Sequence, residues 1–186
     1  MKSIAIFIPG AGYHKDKPLL YYSSRMFAQL GFETFCVEFE NMPKKKVAGD
    51  LEMMKEMVET GYRQTEKALK AYDFTQYDKV YLVGKSIGTV IAARYAAEHN
   101  LDAKLVLYTP LETTFLYDIW NAQAYIGTND PWSKLENIIG MSAERNIPLY
   151  QYEGCNHSLE TEDAFKNIEV LSDVINKTRE YILSDY

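Results

Sequence analysis

Between residues 80 and 98, an apolar run, the pentapeptide Gly-Lys-Ser-Ile-Gly and a helical pattern follow one another directly. Residues 80–83 predict a strand and residues 87–98 predict a helix, so Ser86 falls in the tight turn that joins them. A turn of this kind holds the serine hydroxyl above the end of a sheet, and glycines on either side let the backbone and the helix approach closely. The pentapeptide alone arises by chance in unrelated chains, and its position between a strand and a helix is what makes it informative.

The same alternation of strand and helix runs along the whole chain. Six short apolar runs have the length of buried strands: residues 4–8, 34–39, 80–83, 104–108, 122–126 and 149–152. Five stretches carry apolar residues at helical spacing: residues 19–30, 51–72, 87–98, 131–145 and 165–182. Alternating strands and helices predict right-handed crossovers and a mostly parallel sheet covered on both faces. The expected fold is therefore a three-layer αβα sandwich, formed by one domain over residues 1–186.

Composition narrows the function class. The chain has 186 residues and a net charge of −6, which argues against nonspecific binding to nucleic acid or to an anionic membrane. Cys36 and Cys155 match neither a disulfide framework nor a metal-binding spacing. The chain shows no signal-peptide pattern and no apolar run long enough to span a bilayer. We expect a soluble cytoplasmic protein without a metal site. A homodimer is left open.

Polar residues follow several of the predicted strands, at the points where those strands end. Ser86 follows the third strand, Asp130 follows the fifth and His157 follows the sixth. Function in parallel sheets gathers at the carboxyl ends of the strands. The sequence therefore predicts that a serine, an acid and a histidine meet at one edge of the sheet.

These three residue types together support nucleophilic catalysis. A serine hydroxyl is a poor nucleophile near neutral pH unless a histidine takes its proton and later returns it to the leaving group. A buried carboxylate fixes the imidazole tautomer and stabilises the imidazolium that forms. Two backbone amides must hold the developing oxyanion. We expect the amide of Ile87, which follows Ser86, and that of Ala11, in the glycine-rich turn after the first strand.

In their order along the chain, Gly-Lys-Ser-Ile-Gly, Gly-Thr-Asn-Asp at residues 127–130 and Gly-Cys-Asn-His-Ser at residues 154–158 resemble motifs of the α/β-hydrolase superfamily. The resemblance covers nearly the whole chain and is greatest to small, minimal hydrolases of bacterial type that lack a large cap domain. It implies a six-stranded sheet ordered 2-1-3-4-5-6, with the nucleophile at the switch point. The turn after the first strand begins Pro9-Gly10, where the family often has His-Gly.

The chain between the fourth and fifth strands, residues 109–121, leaves room for a short flap at most. We therefore expect an open cleft with aromatic walls, suited to small substrates. Six residues are predicted to line it: Gly12, Tyr13, Lys85, Glu112, Phe115 and Trp132.

The hypothesis is a serine hydrolase that cleaves a small ester or thioester through an acyl-enzyme, with Ser86, Asp130 and His157 catalytic and without a cofactor. The partner is then a small-molecule acyl substrate. Acyl transfer or peptide hydrolysis by the same residues stays open, as does a non-catalytic binding protein on the same scaffold.

Several residues have a second interpretation. Asp130 before Pro131 would also suit the N-cap of a helix, and Glu112 and Asp118 are rival acids after the fourth strand. Lys85 is either a solvated or packed lysine or a residue that recognises an anionic acyl group. His14 either lines the cleft or is exposed, and we expect exposure. Phosphate-binding motifs are excluded because lysines stand where a P-loop and a dinucleotide fingerprint need a glycine, at positions 79 and 15.

Overall fold

The computed structural model describes residues 2–43 and 50–184. Six parallel strands form one sheet in the order β2-β1-β3-β4-β5-β6. The strands are β1 Ser3–Ile8, β2 Glu33–Cys36, β3 Lys79–Lys85, β4 Lys104–Tyr108, β5 Ala122–Gly127 and β6 Leu149–Tyr152. The helices are α1 Pro18–Gln29, α2 Leu51–Leu69, α3 Ile87–Glu98, α4 Leu135–Glu144 and α5 Ala164–Leu183. The predicted fold class and strand order are confirmed.

Helices cover both faces of the sheet. α1 and α5 pack on one face, whereas α2, α3 and α4 pack on the other. All of β1 is buried, with Ile4, Ile6 and Ile8 on the α2–α4 side and Ala5 and Phe7 on the α1–α5 side. Near-continuous apolar strands are the pattern expected of a parallel sheet that is buried on both faces. The sheet is therefore the rigid frame from which the loops at its carboxyl edge project.

Local signals in the sequence set where the helices begin. Pro18 opens α1, where its missing N–H costs no helical hydrogen bond. Asp50 caps α2 by accepting a hydrogen bond from the Met53 amide at 3.0 Å. Asp163 caps α5 by accepting from the amides of Phe165 and Lys166.

The structure differs from the sequence prediction between β5 and α4. The helix begins at Leu135 and not at Pro131, because Asp130 and the residues after it form a turn. In that turn the Trp132 amide donates to the Asp130 side chain, and the Ser133 hydroxyl donates to the Pro110 carbonyl. The N-cap of α4 is Lys134, so the N-cap interpretation of Asp130 is wrong for this helix.

Other boundaries differ by a few residues. β2 ends at Cys36, where the sequence predicts a strand to residue 39, and α2 ends at Leu69. Gly140, which the sequence predicts to be a weak point inside the fourth helix, does not interrupt α4. Lys44, Lys45 and Lys46, which the sequence predicts to lie in a solvated loop, fall outside the described residues.

The connection from β4 to β5 is short. Residues 109–121 contain only a five-residue 3₁₀ helix, Glu112–Leu116, so this connection carries no large cap. Over residues 2–43 and 50–184, none of the helices is long and apolar enough to cross a lipid bilayer.

Candidate active site

Ser86 stands in a strained turn between β3 and α3. Its φ is 57° and its ψ −123°, a conformation that residues other than glycine rarely adopt. The turn is held by the Ser86 amide, which donates to the Tyr108 carbonyl at 3.0 Å, and by Thr89, whose amide and hydroxyl donate to the Ser86 carbonyl. Such strain persists only where the surrounding structure enforces it, and it is typical of functional sites.

The two glycines that flank Ser86 are required by packing. A Cβ at Gly84 would lie 2.5 Å from the carbonyl oxygen of Gly88. A Cβ at Gly88 would lie 2.1 Å from the carbonyl oxygen of Ile8. Because both obstacles are backbone atoms, α3 approaches β3 and β1 this closely only with glycine at both positions.

The loops after β5 and β6 bring an acid and a histidine to Ser86. His157 Nε2 lies 2.7 Å from Ser86 Oγ, and His157 Nδ1 lies 2.7 Å from Asp130 Oδ2. The Asp130 side chain is 1% exposed and the His157 side chain 16% exposed. A carboxylate beside Nδ1 favours the tautomer with a proton on Nδ1, which leaves Nε2 free to accept the Ser86 proton.

Asp130 is fixed on its other side as well. Its Oδ1 accepts a hydrogen bond from the Trp132 amide at 2.8 Å, and the Trp132 ring lies 5.8 Å from the His157 ring. The Asn129 amide donates to the Cys155 carbonyl at 3.0 Å, which joins the loop after β5 to the loop that carries His157. The carboxylate therefore has one orientation, with one oxygen committed to the backbone and the other to the imidazole.

The turn after β1 also approaches Ser86, because Gly10, Ala11 and Gly12 border the same cleft. Gly10 and Tyr13 exchange two backbone hydrogen bonds, at 3.2 and 3.3 Å, which leaves Ala11 and Gly12 at the tip. Ala11 borders the same cleft as Ser86 and Ile87. Ile87 begins α3, so its amide belongs to the electropositive end of the helix.

A cleft of about 130 Å³ lies over Ser86. Four of the predicted lining residues border it: Gly12, Tyr13, Lys85 and Trp132. The cleft is also bordered by Met54 and Met57, which reach it from α2, and by Ser158, which follows His157, and the sequence did not predict these positions. The methionines carry a helical apolar spacing, but that spacing does not reveal which turn of α2 extends over the sheet edge.

The remaining two predicted lining residues, Glu112 and Phe115, are not among the described residues that border the cleft. Glu112 accepts a hydrogen bond from the Lys134 amide at 2.8 Å, at the start of α4. Phe115 is 2% exposed, and its carbonyl accepts from Arg145. After β4 the chain turns into a 3₁₀ helix that packs against α3 and α4, which takes both side chains away from Ser86. Their predicted lining role is therefore corrected.

The rival acids are also removed from the site. Glu112 is engaged with α4, as above. Asp118 precedes β5 and lies beside Trp120 and Asn121, at the amino ends of the strands. Ser86 follows the carboxyl end of β3, at the opposite edge of the sheet.

Lys85 is packed and not solvated. The residue is 1% exposed, its Nζ donates to Thr109 Oγ1 at 2.7 Å, and the same Nζ lies 4.9 Å from the centre of the Tyr13 ring. The Tyr13 hydroxyl accepts from the Leu19 amide, and burial raises the pKa of this tyrosine well above its usual range. Lys85 thus joins the ends of β3 and β4 to the turn that carries Ala11.

Two other residues near the site have no place in the Ser86–His157–Asp130 arrangement. Cys155 is buried two residues before His157, and burial raises the pKa of its thiol, which disfavours the reactive thiolate. His14 is exposed, as expected, and lies near Asp16. In the described part of the chain, no group of three or more His, Cys, Asp or Glu side chains is arranged to hold a metal ion.

Comparison with known families agrees with this architecture. A family model described as an alpha/beta hydrolase domain matches residues 1–182. The chain belongs to the α/β-hydrolase family. A comparison with curated protein sequences found no significant match.

Solved α/β hydrolases share the fold at low sequence identity. The chain is 12% identical to the Pyrococcus furiosus esterase Pf2001, with a TM-score of 0.70 over 98% of this chain and 83% of that one. It is 14% identical to Est1E from Butyrivibrio proteoclasticus, with a TM-score of 0.67 over 98% and 89%. It is 15% identical to XC6422 from Xanthomonas campestris, described as a serine hydrolase without lid, with a TM-score of 0.65 over 96% and 82%. At these identities the likeness shows the fold.

Proposed function

We propose that this α/β hydrolase is a serine hydrolase that cleaves a carboxylic ester or thioester of a small substrate through an acyl-enzyme. The observation that carries the proposal is the continuous chain of contacts from Ser86 Oγ through the His157 imidazole to Asp130 Oδ2, with both distances 2.7 Å. Two hydrogen-bond contacts at the two nitrogens of one ring are what a general base and its orienting acid need.

The proposed reaction has two halves. Ser86 Oγ attacks the carbonyl carbon while its proton passes to His157 Nε2, and the imidazolium then protonates the departing alcohol or thiol. Water next gives a proton to the same nitrogen and attacks the acyl-enzyme, and the imidazolium returns that proton to Ser86 Oγ as the acid is released. Asp130 stays ionised throughout and stabilises the imidazolium in each half.

The oxyanion formed in both halves needs donors on the side opposite His157. The amides of Ile87 and Ala11 are our candidates, because both residues border the cleft beside Ser86. Loss of a single oxyanion donor costs about 3–4 kcal/mol in serine hydrolases. Backbone donors cannot be removed by a side-chain substitution, so their role rests on the rigidity of the Gly10–Tyr13 turn and of the start of α3.

The substrate class follows from the size of the cleft and from related structures. A cleft of about 130 Å³ without a cap above it suits a small acyl group. Of the related structures, the Pyrococcus protein is called an esterase, and Est1E has been solved with ferulic acid bound. The name of the Pyrococcus protein favours an oxygen ester over an amide, and the ferulic acid complex favours a carboxylic acid as the acyl portion.

A fluorophosphonate probe tests the proposal, because it reacts with a serine that a histidine activates. We expect intact-mass analysis to show one adduct on the wild type and none on Ser86→Ala, with peptide mapping to Ser86. Ser133→Ala is the matched control, since Ser133 is a nearby buried serine bonded to the Pro110 carbonyl, and this variant should still label. A folded wild type that forms no adduct would favour a binding protein and contradict the proposal.

Lys85 gives a second test, directed at specificity. Because its ammonium is buried against Thr109 and Tyr13, we expect Lys85 to support the site without recognising an anionic acyl group. Lys85→Met should lower kcat/KM for a neutral ester and for a succinate half-ester by the same factor. The ratio of the two, measured side by side, should stay within about twofold of the wild-type ratio. A selective loss on the anionic ester would instead assign Lys85 to substrate recognition.

A further inference from the structure

A second, smaller pocket adjoins the cleft. It measures about 110 Å³ and meets the cleft at Tyr13 and Ser158, which line both. We call it the side pocket and define its walls as Leu19, Leu159, Ile168 and Leu171 together with those two shared residues. It lies between the start of α1, the loop that carries His157 and the first turns of α5.

The walls of the side pocket are mainly apolar. Leu19 and Leu159 are buried. Asn167 also borders the pocket, but its side-chain amide is engaged with the backbone of Thr161. Glu160 is also among the lining residues, and a negative charge near the pocket disfavours an anionic occupant. The chemistry therefore fits an uncharged apolar group.

The positions of one leucine and one isoleucine show that this pocket is not simply a gap in the core. Leu159 has a φ of 58°, which is uncommon for a leucine, and its amide donates to the Asn156 carbonyl within the His157 loop. Ile168 is 64% exposed at the mouth of the pocket. The core of α5 is formed by Val170, Val174 and Ile182, so packing of the helix does not require an isoleucine at position 168.

The position of the side pocket indicates which portion of the substrate it would bind. In the proposed reaction, His157 delivers a proton to the leaving oxygen or sulfur, so the leaving group must depart along the His157 side of the cleft. Ser158, the residue after His157, forms part of the boundary with the side pocket. We propose that the side pocket binds an apolar group on the alcohol or thiol portion of the substrate, an inference that rests on the proposed function.

The volume limits the size of that group. An apolar cavity of about 150 Å³ accommodates benzene, so about 110 Å³ fits a smaller group of about four carbons. Burial of one methylene changes an equilibrium or rate ratio by up to about fourfold. The substrate class is thus an ester or thioester of a short, uncharged alcohol or thiol.

The test compares two ester series on the full-length protein, after fluorophosphonate labelling has shown that Ser86 reacts. The first series is methyl, propyl, butyl and octyl acetate, in which only the alcohol changes. We expect kcat/KM to rise by about two- to fourfold per methylene up to butyl and to rise no further at octyl. The second series is methyl acetate, butyrate and hexanoate, in which only the acyl group changes.

Ile168→Asp places a carboxylate at the mouth of the side pocket. We expect it to reduce the butyl-to-methyl acetate ratio by at least about fourfold and to leave the ratio within the acyl series unchanged. Phe165→Asp is the matched control, because Phe165 is 81% exposed on the same helix and lies outside the pocket; it should keep the wild-type alcohol preference. A change in acyl preference alone would overturn the assignment to the leaving group.

The outcomes separate the two proposals. Failure of wild-type labelling would overturn the proposed function and this inference with it. Normal labelling and ester turnover with no preference for alcohol length, or with a preference that Ile168→Asp does not alter, would overturn the side-pocket assignment while the serine-hydrolase proposal stands.

Discussion

Asp130→Asn is expected to lower kcat/KM for ester hydrolysis by about 10⁴-fold while the fold stays intact. The reason lies in the two contacts of the Asp130 carboxylate. Its Oδ1 accepts from the Trp132 amide, and an asparagine must keep its carbonyl oxygen there to preserve that hydrogen bond. The NH₂ group then faces His157 Nδ1, which has to accept, and the imidazole proton moves to Nε2. An Nε2 that carries a proton cannot take one from Ser86.

The measurement is kcat/KM on a short-chain ester, together with the fluorophosphonate labelling rate and thermal unfolding of the same preparation. Glu112→Gln is the matched control, because it makes the same change at the rival acid, which bonds the start of α4 and does not border the cleft. We expect its kcat/KM to stay within about threefold of the wild type. A loss below about tenfold in Asp130→Asn would show that another group orients His157.

The grouping of Ser86, Asp130 and His157 could be predicted from the sequence, because the carboxyl ends of parallel strands lie at one edge of the sheet. Each residue lies within five residues of the end of an apolar run, so an error of one or two residues in a strand boundary does not move it from that edge. The Gly-Lys-Ser-Ile-Gly turn could be predicted from the sequence for a related reason. Its glycines are fixed by backbone contacts within α3, β1 and β3 themselves, so local sequence and tertiary packing require the same residues.

The residues that line the cleft were harder to predict from the sequence. Phe115 and Glu112 follow β4 at the correct edge, but the direction of the chain beyond a strand end is set by what it packs against, here α3 and α4. Met54 and Met57 lie far from Ser86 in sequence and reach the cleft only because α2 crosses the sheet at a particular angle. Helical spacing gives the apolar face of a helix, and it does not give the crossing angle.

Gly88→Ala is expected to have a large effect on the stability of the fold. A methyl group at position 88 would lie 2.1 Å from the Ile8 carbonyl oxygen and 2.7 Å from the Pro9 carbonyl oxygen. Neither is the end of a flexible side chain, so α3 must shift away from β1 to relieve the overlap. We expect the free energy of unfolding to fall by at least about 3 kcal/mol, a large share of the stability of a domain of this size.

Gly140→Ala is the matched control, because it separates the steric overlap at position 88 from the general effect of replacing a helical glycine by alanine. Gly140 lies within α4, where an added Cβ meets nothing within 4 Å, so alanine should raise the free energy of unfolding by about 0.5–1 kcal/mol. Urea denaturation of both variants beside the wild type gives the comparison.

Pro9 and Gly10 lead directly into the turn that carries Ala11, so a shift of α3 against β1 should also slow the labelling of Ser86 in Gly88→Ala. If Gly88→Ala were as stable as the wild type and labelled at the same rate, the close approach of α3 to β1 would not be what holds Ser86 and the turn that carries Ala11 together.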